Sequence, residues 1–252
     1  MFAQERETEI LEILRMKKAV TVRELSKKLY VSEATVRRDL SRMEQSGMLR
    51  RSHGGAVLLE GIQEDPAFLV REQENIRAKQ MIADKAADFI TSGNTLFLDS
   101  SSTVGEVIGL LKQYRFLTVI TNGLKNAMRL SQETDVEVYM AGGHINGRSN
   151  AALDGDAEEY IGRRFADTVM ISCSGVDIQR GITDASIAQS RIKSIMLKNA
   201  NTRILLCTSN KFSTSYICHT ADFKDIDYLI TDTSPPEEYR RAAEAQGCEI
   251  VY

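Results

Sequence analysis

Arg37 and Arg38 stand side by side in the stretch VSEATVRRDL. A guanidinium presents a rigid fork of donors that can pair bidentately with a guanine edge or clamp a phosphate. On a helical wheel Val36, Leu40 and Met43 fall at i, i+4 and i+7 and form one apolar stripe. Thr35, Arg38 and Arg42 form another stripe, with Arg37 and Ser41 beside it, so the arginines project outward together. Alone, an arginine pair is commonly a solvated helix face, and Asp39 is placed to neutralise it locally. The surroundings are more specific. Ser32 is a predicted N-cap, and Gly47 is a predicted residue just past the helix end. In MLRRSHGGAVLLE, two short extended pieces, Leu49 to Arg51 and Ala56 to Leu58, flank a glycine turn. They carry Arg50, Arg51 and His53 toward the same phosphate chemistry.

The elements that must position these groups are legible upstream. Ile10, Leu11, Ile13 and Leu14 give a first helix an apolar stripe. Thr21 precedes a second helix, in which Val22, Leu25 and Leu29 repeat at helical spacing. Three helices and a basic hairpin over residues 1–58 predict a winged helix-turn-helix with double-stranded DNA as its partner. The predicted DNA-contacting set is Ser32, Thr35, Arg37, Arg38 and Arg42, with Arg50, Arg51 and His53 on the wing. Charge follows the same division. Residues 1–57 hold 12 Lys and Arg against 8 Asp and Glu, whereas the other 195 hold 20 against 27, in a chain of net charge −3. A basic unit meets phosphates while an acidic one avoids them.

Periodicity is lost at Gly61 and Pro66, so residues 59–67 are a predicted linker. Residues 68–90 are predicted as one long helical stretch that opens a domain over 68–252. From Asn94 onward, TLFL, LTVI, VEVYM, TVMISC, RILLC, YLIT and CEIVY read as strands, mostly fully buried. Predicted helices begin near Thr103, Gly123, Asp154, Ala185 and Pro235. Such alternation implies an α/β fold with a mostly parallel sheet covered on both faces. Ligands of such sheets lie at the carboxyl ends of the strands. The loops there are Asp99, Ser100, Ser101, Ser102 and Thr103; then Thr121, Asn122 and Gly123; then Ala141, Gly142 and Gly143; then 174–177; then 208–212, with Lys211. Hydroxyls, backbone N–H groups and a lysine suit an anion, phosphate above all.

Other classes are disfavoured. No apolar run is long enough for a membrane span, and the N-terminus lacks an apolar signal segment, so a cytoplasmic protein is expected. Cys173, Cys207, Cys218 and Cys248 form no CxxC pair. Cys173 and Cys207 lie in apolar runs and read as buried free thiols. His53, His144 and His219 form no metal spacing, so neither a metal nor a cofactor is expected.

The run VSEATVRRDLSRMEQSGMLRRSHGGAV resembles the N-terminal signature of the DeoR family of bacterial transcription regulators, roughly VSxxTIRRDLxxLexxGxLxRxHGGA. Phe68, Arg71, Lys79, Ile82 and Ala83 resemble the segment that follows the linker there. The larger domain is similar to the family's sensor domain, whose fold resembles ribose-5-phosphate isomerase and CoA-transferase-like proteins. The family pattern runs D-S-G-T-T, T-N, G-G-x-x-R, E-A-x-x-K and D-S-S-K-F. Asp99, Ser100, Thr103, Thr121, Asn122, Gly142, Gly143, Lys193, Lys211 and Phe212 match it. Ser101 stands for Gly, Ser102 for Thr, Asn146 for Arg, Gln189 for Glu and Thr208 for Asp.

The resemblance implies a repressor of a carbohydrate-utilisation operon. Its effector would be a small phosphorylated metabolite, bound by the loops above together with Asn146, Gln189 and Lys193. The departures imply either a different effector or weakened binding. One rival is a sugar-phosphate isomerase-like enzyme with a DNA-binding head. It needs a carboxylate base, and only Asp99, Asp177 and Asp184 are at hand, because Gln189 and Thr208 replace acids. No catalytic residue is therefore assigned. A second rival is a regulator whose altered pocket answers to a non-sugar or protein signal. One winged helix reads too few base pairs for operator specificity, so a homo-oligomer, dimer or tetramer, is expected.

Overall fold

A computed structural model describes residues 3–45, 49–52, 54–57 and 68–252. The chain divides into two compact units, Met1–Arg71 and Glu72–Tyr252. The predicted residues Gly47, His53 and Leu58 and the linker 59–67 lie outside the described residues.

The first unit runs α1 (Ala3–Lys17), β1 (Ala19–Thr21), α2 (Val22–Leu29), α3 (Glu33–Gln45), β2 (Arg50–Ser52) and β3 (Gly55–Val57). Thr21 and Glu24 start α2 with a reciprocal capping box: each backbone N–H donates to the other's side chain. Ile10, Ile13, Leu14, Leu25, Val36, Leu40 and Met43 fill the core, each at most 2% exposed. This is the stripe that helical spacing predicts for α3. The hairpin strands sit one residue from their predicted bounds, and β1 joins them antiparallel in the order β1-β3-β2. Three residues of AVT are too few for a periodic signal, so β1 is not visible in the sequence. Gly54 turns the hairpin at φ +94°. At Gly55 a Cβ would lie 2.1 Å from the Val20 carbonyl oxygen, so only glycine lets β1 and β3 approach.

Asp39 corrects one expectation. It does not neutralise Arg37 or Arg38. It is buried and accepts from Arg6 Nε at 2.8 Å, Arg6 Nη2 at 3.1 Å and Arg42 Nη2 at 3.0 Å. The carboxylate thus ties α3 to α1, and burial is tolerable because three charge-assisted bonds satisfy it.

The predicted long helix 68–90 is broken. α4 (Phe68–Gln73) stops, Asn75 takes the left-handed conformation at φ +53°, and α5 (Ile76–Ala86) follows, then a 3-10 turn at Ala87–Phe89. Asparagine tolerates this conformation where bulkier residues do not. Next come β4 (Thr95–Leu98), α6 (Ser102–Gly105) extended by a 3-10 segment to Gln113, β5 (Thr118–Thr121), α7 (Leu124–Glu133) and β6 (Glu137–Met140). A short hairpin, β7 (Ile145–Asn146) and β8 (Ala151–Ala152), precedes α8 (Gly155–Gly162). The chain continues through β9 (Ala166–Ile171), β10 (Gly175–Asp177), β11 (Gly181–Asp184), α9 (Ile187–Lys198) and β12 (Ala200–Leu206). A 3-10 turn at Ser209–Lys211, β13 (Cys218–Ala221), β14 (Tyr228–Ile230), α10 (Glu237–Glu244) and β15 (Glu249–Val251) complete it.

The seven predicted strands form one sheet, ordered β15-β14-β12-β9-β4-β5-β6, and every neighbouring pair is parallel. Strand alternation splits the core into two layers. Phe97, Val169, Leu205 and Leu229 face one cluster that includes Ile161, Met196 and Ala243 of α8, α9 and α10. Leu96, Leu98, Met170, Ile204 and Ile230 face the other, with Ile82, Ala83 and Ala86 of α5. Full burial was expected of most strands, but the outermost ones, β6 and β15, are partly exposed, because edges lack a neighbour on one side. Residues 174–177, predicted as a loop, belong partly to β10. With β11 and β13, β10 forms a small antiparallel sheet. These strands are three or four residues long; β10 and β11 pair as a hairpin, and β13 joins β11 from more than thirty residues away.

Replacing Asp39 with alanine removes the buried carboxylate that Arg6 and Arg42 share, although Arg42 keeps Glu7. We expect a loss of about 2 kcal/mol in the first unit, read by urea denaturation followed by circular dichroism. A loss below a few tenths of a kcal/mol would contradict this account of Asp39.

Candidate functional site

In the first unit, α3 presents the arginines as its sequence requires. Ser32 caps the helix: its Oγ accepts from the Thr35 N–H at 3.2 Å and lies 2.9 Å from Thr35 Oγ1. Arg37 and Arg38 are exposed. Among the described residues Arg37 pairs only with Glu33, at 3.3 Å across a solvated helix face, and such pairs are weak enough to exchange for a phosphate. Arg38 has no hydrogen-bond or ion-pair partner among the described residues. Arg42 differs. It is held by Glu7 at 2.6 Å and by Asp39, so its guanidinium braces α1. On the wing, Arg50 is exposed, while Arg51 is bound into the unit: its N–H donates to Glu44 and its Nη1 to Ser41 at 2.7 Å. Among the described residues, the unpaired or weakly paired cations of this face are therefore Arg37, Arg38 and Arg50.

In the second unit, parallel strands β12, β9, β4, β5 and β6 bring their carboxyl ends to one edge. Asp99 ends β4 and is 1% exposed. Its carboxylate accepts from the Ser101 N–H at 2.8 Å and, across to β9, from the Ser172 N–H at 3.1 Å. Lys193 of α9 lies 3.8 Å from Asp99 and donates to Asp184 at 2.6 Å. Thr220 Oγ1 also donates to Asp184, at 2.8 Å. Lys211 donates to Ser172 Oγ at 3.0 Å and to the Cys173 carbonyl at 2.7 Å. Lys79 of α5, itself buried, donates to Ser102 Oγ at 3.0 Å. Asn126 of α7 donates to the carbonyls of Asp99 and Ser101. Ser100 comes so close to Gly123 that a Cβ there would lie 2.9 Å from Ser100 Cα.

Of the residues predicted from sequence, Asp99, Ser101 and Lys211 are joined by hydrogen bonds through Ser172, Lys193 pairs with Asp99 at 3.8 Å, and Ser100, Ser102 and Thr103 are buried beside them. Ser101 spends its hydroxyl on capping α6 through the Val104 N–H. Thr121 and Asn122 are buried at the end of β5, where Thr121 Oγ1 accepts from the Gly123 N–H and Asn122 donates to the Ala152 carbonyl. Gln189 is buried in the first turn of α9, one turn before Lys193. Asn146, Gly142 and Gly143 are not in this region. They are exposed, and Asn146 Oδ1 accepts from the N–H groups of Arg148 and Ser149 to close a local turn. Asn146 therefore holds its own hairpin, where the family's arginine would offer a charge.

Sequence reasoning missed Asp184 as a site residue, marking it only as a spare acid; it is the buried partner of Lys193. A carboxylate ending an apolar strand was the available signal. Lys79 stands out in the sequence only through its resemblance to the family segment after the linker, and Asn126 and Ser172 carry no signal by type or spacing, because their roles depend on contacts made across the fold.

Two identifications follow. A basic winged helix-turn-helix joined to an α/β unit with a polar strand-end site defines a DNA-binding regulator with a small-molecule sensor. The DeoR C-terminal sensor domain matches residues 74–233, and the DeoR-like helix-turn-helix domain matches residues 6–61. The chain belongs to the DeoR family of transcription regulators. YulB of Bacillus subtilis (strain 168), an uncharacterized HTH-type transcriptional regulator, is 34% identical over 251 residues, covering 100% of this chain and 97% of the relative. The glycerol-3-phosphate regulon repressor of Escherichia coli (strain K12) is 27% identical over 232 residues, covering 92% of each. A ribose 5-phosphate isomerase from Methanocaldococcus jannaschii has a TM-score of 0.41 at 16% identity, covering 55% of each chain.

Burial alone would lower the Lys193 pKa, but the charges of Asp184 and Asp99 and the bond to Asp184 outweigh it and hold the ammonium above its ordinary value. Stability from a raised pKa is fully present below the unfolded value, about 10.4 for lysine, and is lost as pH rises through the folded one. Replacing Lys193 with methionine leaves two buried carboxylates without their cation. We expect a loss of about 3 kcal/mol near neutral pH. The alkaline fall in stability should also flatten, as followed by urea denaturation across pH. An unchanged alkaline limb would contradict this assignment.

Proposed function

We propose that this regulator represses a carbohydrate-utilisation operon and is released or retuned by a phosphorylated sugar or related metabolite. It acts in the cytoplasm as a homo-oligomer, dimer or tetramer, on operator DNA. The observation that carries the effector reading is Lys211. Its half-buried ammonium is held at the strand ends by neutral oxygens alone, with no carboxylate partner among the described residues. A cation fixed in place by a hydroxyl and a carbonyl, beside serine hydroxyls, is suited to an entering anion. Lys193 is already neutralised by Asp184 and Asp99, so in this reading it positions the site while Lys211 supplies the charge. One relative named for the glycerol-3-phosphate regulon supports a phosphorylated effector.

Arg37 and Arg38 serve as the reading head, with Arg50 on the wing. Ser32 and Thr35 are placed at the helix start, where they can reach phosphate. Arg42 and Arg51 act by holding α3 and the wing in place. His53 on the wing, and Gln189, Asn122 and Thr121 at the strand ends, complete the proposed contact sets as supporting members.

Replacing Arg37 and Arg38 with alanine should abolish specific operator binding while the circular dichroism spectrum stays unchanged. Arg38→Ala alone should reduce the salt slope of binding by about one, and full specificity in the double variant would contradict the assignment. Thermal shift of the full chain against phosphorylated and unphosphorylated sugars tests the effector class. Ligand that binds only the folded state raises Tm. Lys211→Ala should lose that shift and keep operator affinity without effector. Loss of both would assign Lys211 to folding instead.

A further inference from the structure

The thiols of Cys173 and Cys207 have no part in the reading above. Cys207 directly follows β12, and Cys173 lies two residues past the end of the neighbouring parallel strand β9. The register pairs Leu205 of β12 with Ile171 of β9, so two residues further on Cys207 stands opposite Cys173. Directly opposed residues of adjacent strands have backbones about 4.8 Å apart, inside the Cα separation that a disulfide spans, about 4.4–6.8 Å. The two sulfurs are already 4.0 Å apart, and both thiols are free. Neither side chain lies on the outer surface: Cys173 is 5% exposed and Cys207 fully buried.

We propose that Cys173 and Cys207 are a reversible oxidation site, converted by hydrogen peroxide or a comparably small peroxide into an intrachain disulfide. The Cys173 sulfur, its proton released, attacks one peroxide oxygen; the O–O bond breaks and the leaving hydroxide takes up that proton as water, giving a sulfenic acid. The Cys207 sulfur then attacks that sulfur and loses its proton, and the hydroxyl departs as a second water. Two thiols are oxidised to one S–S bond, and one peroxide is reduced to two waters. The order of attack follows from the surroundings. Contact with the Cys207 thiol and the charge of Lys211 outweigh burial and hold the Cys173 thiol below its ordinary pKa. The same contact, reinforced by burial, pushes Cys207 well above it. A nucleophile beside a resolving thiol is the arrangement that reversible oxidation requires.

Bringing the sulfurs from 4.0 Å to bonding distance shifts both side chains beside the residues that hold the site. The Cys173 carbonyl accepts from Lys211, the neighbouring Ser172 binds both Lys211 and Asp99, and Thr208 directly follows Cys207. The oxidised form should therefore present a changed Lys211 environment.

The test uses the reduced full chain, treated with hydrogen peroxide, unfolded, alkylated and digested for mass spectrometry. Alkylatable thiols should fall from four to two. A Cys173–Cys207 peptide lighter by two hydrogens should appear, and dithiothreitol should restore all four. Cys218→Ser should leave the cross-link intact, and Cys173→Ser should abolish it. Hydrogen exchange in the peptide 207–212 should change several-fold on oxidation. Four alkylatable thiols after treatment, a cross-link through Cys218 or between chains, or oxidation past the disulfide would overturn the proposal. Unaltered exchange in the cross-linked chain would overturn its link to the site. None of these measurements uses operator or effector, so failure here leaves the proposed function standing.

Discussion

Lys193 puts a full positive charge inside the second unit, and the local architecture answers it. A buried ammonium is tolerable only when carboxylates and hydrogen bonds replace its water. Asp184 comes from the end of β11, in the small antiparallel sheet, and Asp99 from the end of β4, in the large parallel one. One cation thus ties two sheets and α9 together. Asp99 carries the constraint further through the N–H groups of Ser101 and Ser172, which fix the loops after β4 and β9. Lys211 is set in its place by those loops. The geometry of the proposed effector site depends on this charge balance more than on any apolar contact.

The first unit solves a related problem with arginines. Arg37, Arg38 and Arg42 lie within one helix and look equivalent in sequence. Asp39 separates them: its buried carboxylate draws Arg42 and Arg6 into a bridge between α1 and α3 and leaves Arg37 and Arg38 on the outer face. The same acid spends its charge on that bridge and not on the outward pair. A pair meant for phosphate must be positioned by something else, and here neighbours of the same residue type do it.

Much of this was legible in the sequence because local signals dominate. The buried stripe of α3, the Thr21 cap, the glycine turn and all seven parallel strands follow from period, capping and apolar runs. Breaks appeared where tertiary partners decide. Asn75 ends a helix that periodicity would continue. The small sheet is completed by the distant pairing of β13 with β11, with a register shift near Ile182 and Thr183. Within the site, residue type pointed to Asp99, Lys193 and Lys211, but type could not show which lysine is neutralised and which keeps its charge. Nor could it show that Asn146 is spent on a turn. Those distinctions rest on distances of a few ångströms between residues far apart in the chain.

The central claim is that an anion entering at the strand ends changes how the arginines engage DNA. It is tested most directly by fluorescence anisotropy of the full chain on an operator duplex selected from random sequence, titrated with and without each member of a sugar-phosphate panel. Linkage between two sites commonly amounts to about 5- to 150-fold in affinity. The account predicts that at least one phosphorylated sugar shifts operator affinity within that range, while its unphosphorylated parent does not. Operator affinity that no phosphorylated compound changes, or that the parent sugar changes equally, would contradict it.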